Sequence, residues 1–175
     1  EEGAPKRITP GAKPVCQDKL PLPAGVHGPF YRLMQARDGD LWLMTAQEGY
    51  IRYRRSADDN WVVQEWRPGP GATTASRNIT GMTEDREGNV WLSTADGLYR
   101  HSQQGPLQRY GEEHGFRSSY FYCVLAEDDG TLWVSANEGL YRCEPRRNQA
   151  RLFTQSDGLA HNEFNSGACH RAADG

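Results

Sequence analysis

One short passage of residues is written three times in this chain. Tyr31–Tyr53 reads YRLMQARDGDLWLMTAQEGYIRY, Thr80–Arg100 reads TGMTEDREGNVWLSTADGLYR, and Tyr122–Arg142 reads YCVLAEDDGTLWVSANEGLYR. The turn glycines Gly39, Gly88 and Gly130 stand 49 and 42 residues apart, and Trp42, Trp91 and Trp133 keep the same intervals. Gly49, Gly97 and Gly139 mark a second turn at intervals of 48 and 42. Asp174–Gly175, 45 residues beyond Gly130, fall where the next copy of the first turn belongs. A period of about 40–50 residues with several short strands per unit is the signature of a propeller.

The residues inside each copy support strands. Glu84–Asn89 is a polar, Gly-containing reversal between two apolar runs. Val90–Thr94 is β-branched and aromatic, and Ala95–Asp96–Gly97 turns the chain again. Val90 and Leu92 point to one face and Trp91 to the other, so both faces must be covered. Propeller blades meet that demand by packing face to face. A helical reading fails, because 19 Gly and 10 Pro interrupt every candidate window and no 3.6-residue apolar stripe exists.

The expected fold is therefore all-β, a partial β-propeller of about three four-stranded antiparallel blades at residues 30–66, 78–110 and 120–154. Residues 164–175 supply the first strand of a fourth, so the propeller part spans 30–175. Residues 1–29 contain Pro5, Pro10, Pro14, Pro21 and Pro23, which suit no central strand. They read as a leader or as the remnant of a preceding blade. Trp42, Trp91 and Trp133, fixed within the repeat, read as blade-packing residues and not as a stacking platform for sugars.

The recurring pattern, an acidic pair and Gly, then (L/V)W(L/V), then (E/D)G(L/I) and Arg, resembles the two-component regulator propeller repeat. The resemblance covers Phe30 to Gly175 and is strongest around Trp91 and Trp133. The copy at Gly49–Tyr50–Ile51–Arg52 departs from it and has a longer outer hairpin, Arg54 to Trp61. Asp157–Asn165, DGLAHNEFN, is similar to the linker before a late blade in the same family. The resemblance implies an extracytoplasmic sensor segment of a bacterial signalling protein, hence periplasmic, without catalysis. Kinase, cyclase and membrane segments would lie in further chain. Closed propellers have four or more blades. Three units and a stub would leave apolar blade faces and strand edges open. The remainder of a longer sensor or another copy of the chain is therefore an expected partner.

Composition narrows the partners further. A net charge of −3 offers no basic cluster for nucleic acid or for an anionic membrane surface. No run of 18 apolar residues is present, so any membrane contact belongs to other segments. Cys16, Cys123, Cys143 and Cys169 lack C-x-x-C spacing, which argues against zinc. Cys123 and Cys169 fall at matching places in successive repeats. Adjacent inner strands could bring them near each other, but burial as small apolar thiols within their own blades is the expectation for them. No cofactor and no metal is expected, because Glu84–Asp85 and Glu127–Asp128–Asp129 lack calcium-loop spacing and suit hairpin turns instead.

Propeller geometry gathers the second turns and the inter-blade connections at one end, where ligands meet the ring or its channel. The residues placed there are Gln47, Glu48, Arg77, Asn78, Asp96, His114, Arg117, Tyr120, Asn137, Glu138, His161, Asn162 and Glu163. Carboxylates, amides, a guanidinium and an aromatic suit a small polar ligand or oligosaccharide. Each position also suits a solvated turn. Cys169 and His170 are adjacent on a strand, point to opposite faces and make no nucleophile–base pair. Three functions stay open. The first is a ligand-sensing propeller, the second a polysaccharide-acting enzyme whose only nominated carboxylate pair is Glu138 and Glu163, and the third a protein-interaction scaffold.

Overall fold

A computed structural model describes residues 20–45, 49–67, 78–103 and 105–172. The described residues fall into two compact units, divided between positions 68 and 69. The first unit holds one antiparallel sheet of β1 (Phe30–Gln35), β2 (Leu41–Thr45), β3 (Gly49–Arg55) and β4 (Trp61–Arg67), hydrogen-bonded in that order. The turn between β1 and β2 is set by the sequence. The Ala36 N–H donates to the Asp40 carbonyl at 2.9 Å, and the Gly39 N–H donates to the Ala36 carbonyl at 2.9 Å. Gly39 takes φ 89°, a conformation that costs a side chain strain. Leu20 and Val26, from the approach segment, are buried with Leu43, Ile51 and Tyr53. Trp42 packs on Tyr50 with ring centroids 5.1 Å apart.

The second unit repeats the sheet twice. One copy is β5 (Ile79–Glu84), β6 (Val90–Thr94), β7 (Gly97–His101) and β8 (Gln108–Tyr110). The next is β9 (Phe121–Ala126), β10 (Leu132–Ala136), β11 (Gly139–Glu144) and β12 (Gln149–Phe153). All five residues of β6 are buried, as a strand covered on both faces requires. Trp91, Leu98 and Tyr110 join Phe116, Phe121, Val134 and Tyr141 in one apolar core. Trp133, at the matching place on β10, is only half-buried, with Phe153 beside it at 5.8 Å.

The innermost strands of this unit lie side by side and run in the same direction. Thr80 Oγ1 donates to the Phe121 carbonyl at 2.5 Å. Gly81 fits where a Cβ would come within 3.3 Å of Cys123 Cα, so a bare backbone permits the approach. Residues 169–171 continue the series beside β9: Arg171 Nη1 donates to the Ala126 carbonyl at 2.8 Å. This segment takes the place of a fourth innermost strand and, with no neighbour strand in its own sheet among the described residues, forms no ladder.

That series corrects the expectation for two cysteines. Cys123 and Cys169 are not separate buried thiols. Adjacent innermost strands bring their Cα atoms to 6.4 Å, and the two form a disulfide. Cys143 is a buried free thiol, and burial pushes its pKa up to about 12. Cys16 lies outside the described residues.

Candidate functional site

The first turns are consumed by structure. Asp85 Oδ1 accepts from the Glu87 and Asn89 backbone N–H groups at 2.9 Å each, while Oδ2 accepts from Asn89 Nδ2 and Trp91 Nε1 at 2.8 Å each. In the next blade Glu127 takes the indole N–H of Trp133 at 2.7 Å, and Asp129 takes the Thr131 N–H at 2.8 Å. The acidic clusters thus hold hairpins and tryptophans. Among the described residues no group of His, Cys, Asp and Glu has the geometry to hold a metal ion.

The second turns differ, because they stay partly open. Thr94 Oγ1 accepts from the Asp96 N–H at 3.0 Å and donates to the Gly97 carbonyl at 2.9 Å, which shapes the two-residue turn. Tyr99 OH donates to Asp96 Oδ2 at 3.2 Å. The Ala95 N–H donates to the Asn78 carbonyl at 3.3 Å, so Asn78 and Asp96 do share one end of their blade. In the next blade Tyr141 OH donates to Glu138 Oε1 at 2.6 Å and accepts from the Arg117 N–H at 3.0 Å. Burial, and then the Glu138 bond, push the Tyr141 phenol up to about 12. Glu138 is therefore tied through Tyr141 to the crossing loop that carries Arg117.

Beside that tie lies an exposed polar and aromatic group. Tyr122 OH donates to Asn137 Oδ1 at 2.7 Å, and the rings of Tyr120 and Tyr122 stand 4.9 Å apart. Tyr122 is the extra residue of a β-bulge: Ser135 pairs with Cys123 and Ala136 with Phe121, leaving Tyr122 without a register partner. Thr80 and Tyr31 are the extra residues at the same place in β5 and β1. A bulge re-aims the side chain it carries. Sequence reasoning found Tyr120 and Asn137 but passed over Tyr122. An extra residue at the start of a strand is invisible to an alternation pattern.

The remaining positions fall elsewhere. His114 is buried in the 3-10 turn Glu112–His114, stacked on Tyr110 at 4.3 Å, with Nδ1 accepting from the Gly111 N–H at 3.3 Å. Asn162 Oδ1 accepts from the Gln155 N–H at 2.7 Å and fastens the loop after β12. His161 and Glu163 are exposed on that loop. Gln47, Glu48 and Arg77 lie outside the described residues. The structure thus brings together Tyr120, Asn137 and Glu138, with Tyr122 added and the Arg117 backbone N–H held by Tyr141, and separately Asn78 with Asp96. Hydroxyls, an amide, a carboxylate and ring faces can hydrogen-bond and stack on a polar ligand.

Residues 75–96 match the family model described as "Two component regulator propeller". No curated protein matches the chain. Among solved structures the chain is similar to the extracellular domain of a protein described as a hybrid two component system from B. thetaiotaomicron, with TM-score 0.63 and 17% identity over 82% of this chain and 19% of that one. A second extracellular domain from B. thetaiotaomicron, described as belonging to a one component system, gives TM-score 0.64 and 20% identity over 82% and 21%. A catalytically inactive virginiamycin B lyase from Staphylococcus aureus, solved with quinupristin, gives 0.62 and 17% over 83% and 46%. At these identities the likenesses show the propeller fold. The chain spans about a fifth of the length of the two sensor domains. Among the described residues no helix is long and apolar enough to cross a membrane.

Proposed function

We propose that this chain, which carries a two component regulator propeller repeat, is a non-catalytic ligand-sensing segment of a bacterial extracytoplasmic signalling protein. It binds a small polar molecule or oligosaccharide at the end of the blades formed by the second turns. The observation that carries this reading is the platform of Tyr120, Tyr122 and Asn137: two tyrosine rings and an amide presented together, one of them by a strand bulge. Rings give stacking area at low entropic cost, and the amide sets orientation. The repeat match and the extracellular origin of two similar structures support the sensor and periplasmic parts of the reading. Other blades of a longer chain, or a second copy, would complete the ring.

An enzymatic reading draws on the likeness to the lyase. It has less behind it. Glu138, one of the two nominated carboxylates, is engaged by the Tyr141 hydroxyl, and Glu163 sits on the loop beyond β12. The test is a glycan panel followed by calorimetric titration. Saturable binding that weakens at least tenfold in Tyr122→Ala and Asn137→Ala, with no product released, supports the sensor. Binding that ignores both substitutions removes this platform, and reducing-end release would establish the enzyme.

A further inference from the structure

Every repeat sets an arginine on its third strand opposite the repeat tryptophan: Arg52 with Trp42, Arg100 with Trp91 and Arg142 with Trp133. Two of the three blades supply an internal acceptor for it. Arg52 Nε donates to Asp40 Oδ2 at 2.5 Å, and Arg142 Nη1 donates to Glu144 Oε1 at 2.5 Å. The middle copy lacks both devices. The residue matching Asp40 is Asn89, whose amide is spent on Asp85. The residue matching Glu144 is Ser102. Arg100 Nε is accordingly buried and, among the described residues, without a hydrogen-bond partner. Its Nη2 stops 3.6 Å from Glu87 Oε2, an ion pair too long for a hydrogen bond. A buried, charged donor left open is costly and calls for an explanation.

Arg100 lines a cavity of about 310 Å³ that also borders the β5–β6 turn, the β9–β10 turn and Pro145–Arg146. That volume is at the small end of ligand sites. The cavity lies at the opposite end of the blades from the tyrosine platform, so the two sites are independent. Its carboxylates are already engaged. Asp85 is held by the Asn89 and Trp91 donors described above, Asp129 by the Thr131 N–H at 2.8 Å and Asp128 by Arg171 at 3.1 Å. Glu87 pairs with Arg146 of the following blade.

We propose that this cavity binds a small molecule through an oxyanion group, a carboxylate or a sulfate, seated on Arg100, whose side chain leaves Glu87 and turns its sealed Nε–Nη2 edge to the ligand. Once turned to the cavity, that edge presents two parallel donors to two oxygens. The incoming anion takes the place that Asp40 and Glu144 fill for the other two arginines. It also displaces Glu87 from Arg146, which adds a second cation to the site and couples occupancy to the contact between two blades.

The test is calorimetric titration at low salt with glucuronate, glucose as its neutral counterpart and sodium sulfate. The arginine Nε–H resonances are followed by nuclear magnetic resonance. Expected are saturable binding of glucuronate or sulfate but not glucose, a shifted Arg100 Nε–H signal, and at least tenfold weaker binding in Arg100→Gln. Ser102→Glu rebuilds the acceptor that Glu144 gives Arg142. It should weaken binding as much while leaving the melting temperature unchanged or raised, which separates site loss from misfolding. Tyr122→Ala should leave this affinity intact. Sulfate binding alone shows that the oxyanion suffices, and a preference for glucuronate shows that the ring contributes. Equal binding of glucose, no anion binding at millimolar concentration, or undiminished binding in both Arg100→Gln and Ser102→Glu would overturn the proposal.

Discussion

Trp91 and Trp133 occupy the same place in consecutive repeats, yet the structure assigns them different energies. Trp91 is 1% exposed, packs edge-on against Tyr110 at 5.0 Å and donates its indole N–H to Asp85 at 2.8 Å. Trp91→Ala should cost about 3–5 kcal/mol for lost burial and the cavity left behind. Trp91→Phe keeps most of the ring but withdraws one donor from a buried carboxylate, which should cost about 1–3 kcal/mol. Trp133 is half-buried and its indole partner, Glu127, is exposed to water, so Trp133→Ala should cost about half as much as Trp91→Ala or less. Thermal unfolding followed by circular dichroism measures all three. At about 2–4 °C per kcal/mol for a chain of this size, the two alanine variants should differ by several degrees. Equal losses in the two alanine variants would refute the argument that blade-on-blade cover, and not the repeat sequence, sets the energy. A silent Trp91→Phe would remove Asp85 from the account.

Further predictions follow from other contacts. Asp40 is buried; burial alone would raise its pKa, but Arg54 and Arg52 outweigh it and hold the carboxyl below the usual carboxylate value. Its contribution is present above the unfolded-state value near 4 and is lost as pH falls through the lower folded value. Asp40→Asn should therefore flatten the acid limb of the stability profile, and an unchanged limb would exclude this group. The Cys123–Cys169 bond closes a loop of sequence separation 46, for which chain entropy gives about 4 kcal/mol. Reduction with dithiothreitol, or Cys169→Ser, should lower the melting temperature by roughly 8–16 °C if that loss reaches the whole unit; no change would mean that 169–171 opens without it. Gly139 has φ 149°, and a Cβ there would collide with the Phe153 carbonyl. Gly139→Ala should destabilise by more than about 1 kcal/mol, whereas Gly130→Ala, strained but uncrowded, should cost less in the same denaturant titration.

The strands were legible because the repeat states its own punctuation. Gly39, Gly88 and Gly130 take positive φ, and the apolar runs that follow each become the second strand of a sheet. The candidate site was legible only in part. Asn137 and Glu138 sit in a turn that the sequence marks with Gly139, so their place at one end of the blade could be read. His114 reads as a ligand-end residue but is buried, because whether a loop histidine faces solvent or stacks on Tyr110 depends on the packing of a 3-10 turn. Tyr122 was hidden by the bulge, which shifts register by one residue without altering composition. The disulfide was legible only as an alternative: the matching places of Cys123 and Cys169 in successive repeats allow their contact, but whether innermost strands of different sheets come close enough to pair is decided by blade packing.

The partial cover over Trp133 gives the molecule a built-in optical reporter. Trp91, sealed in an apolar core, will emit at short wavelength whatever happens outside, whereas an indole reached by water emits further to the red. Were another blade to settle over the face of β10, as the proposed completion of the ring requires, the emission of Trp133 should move to the blue. Assembly of the ring could then be followed in solution without attaching a label.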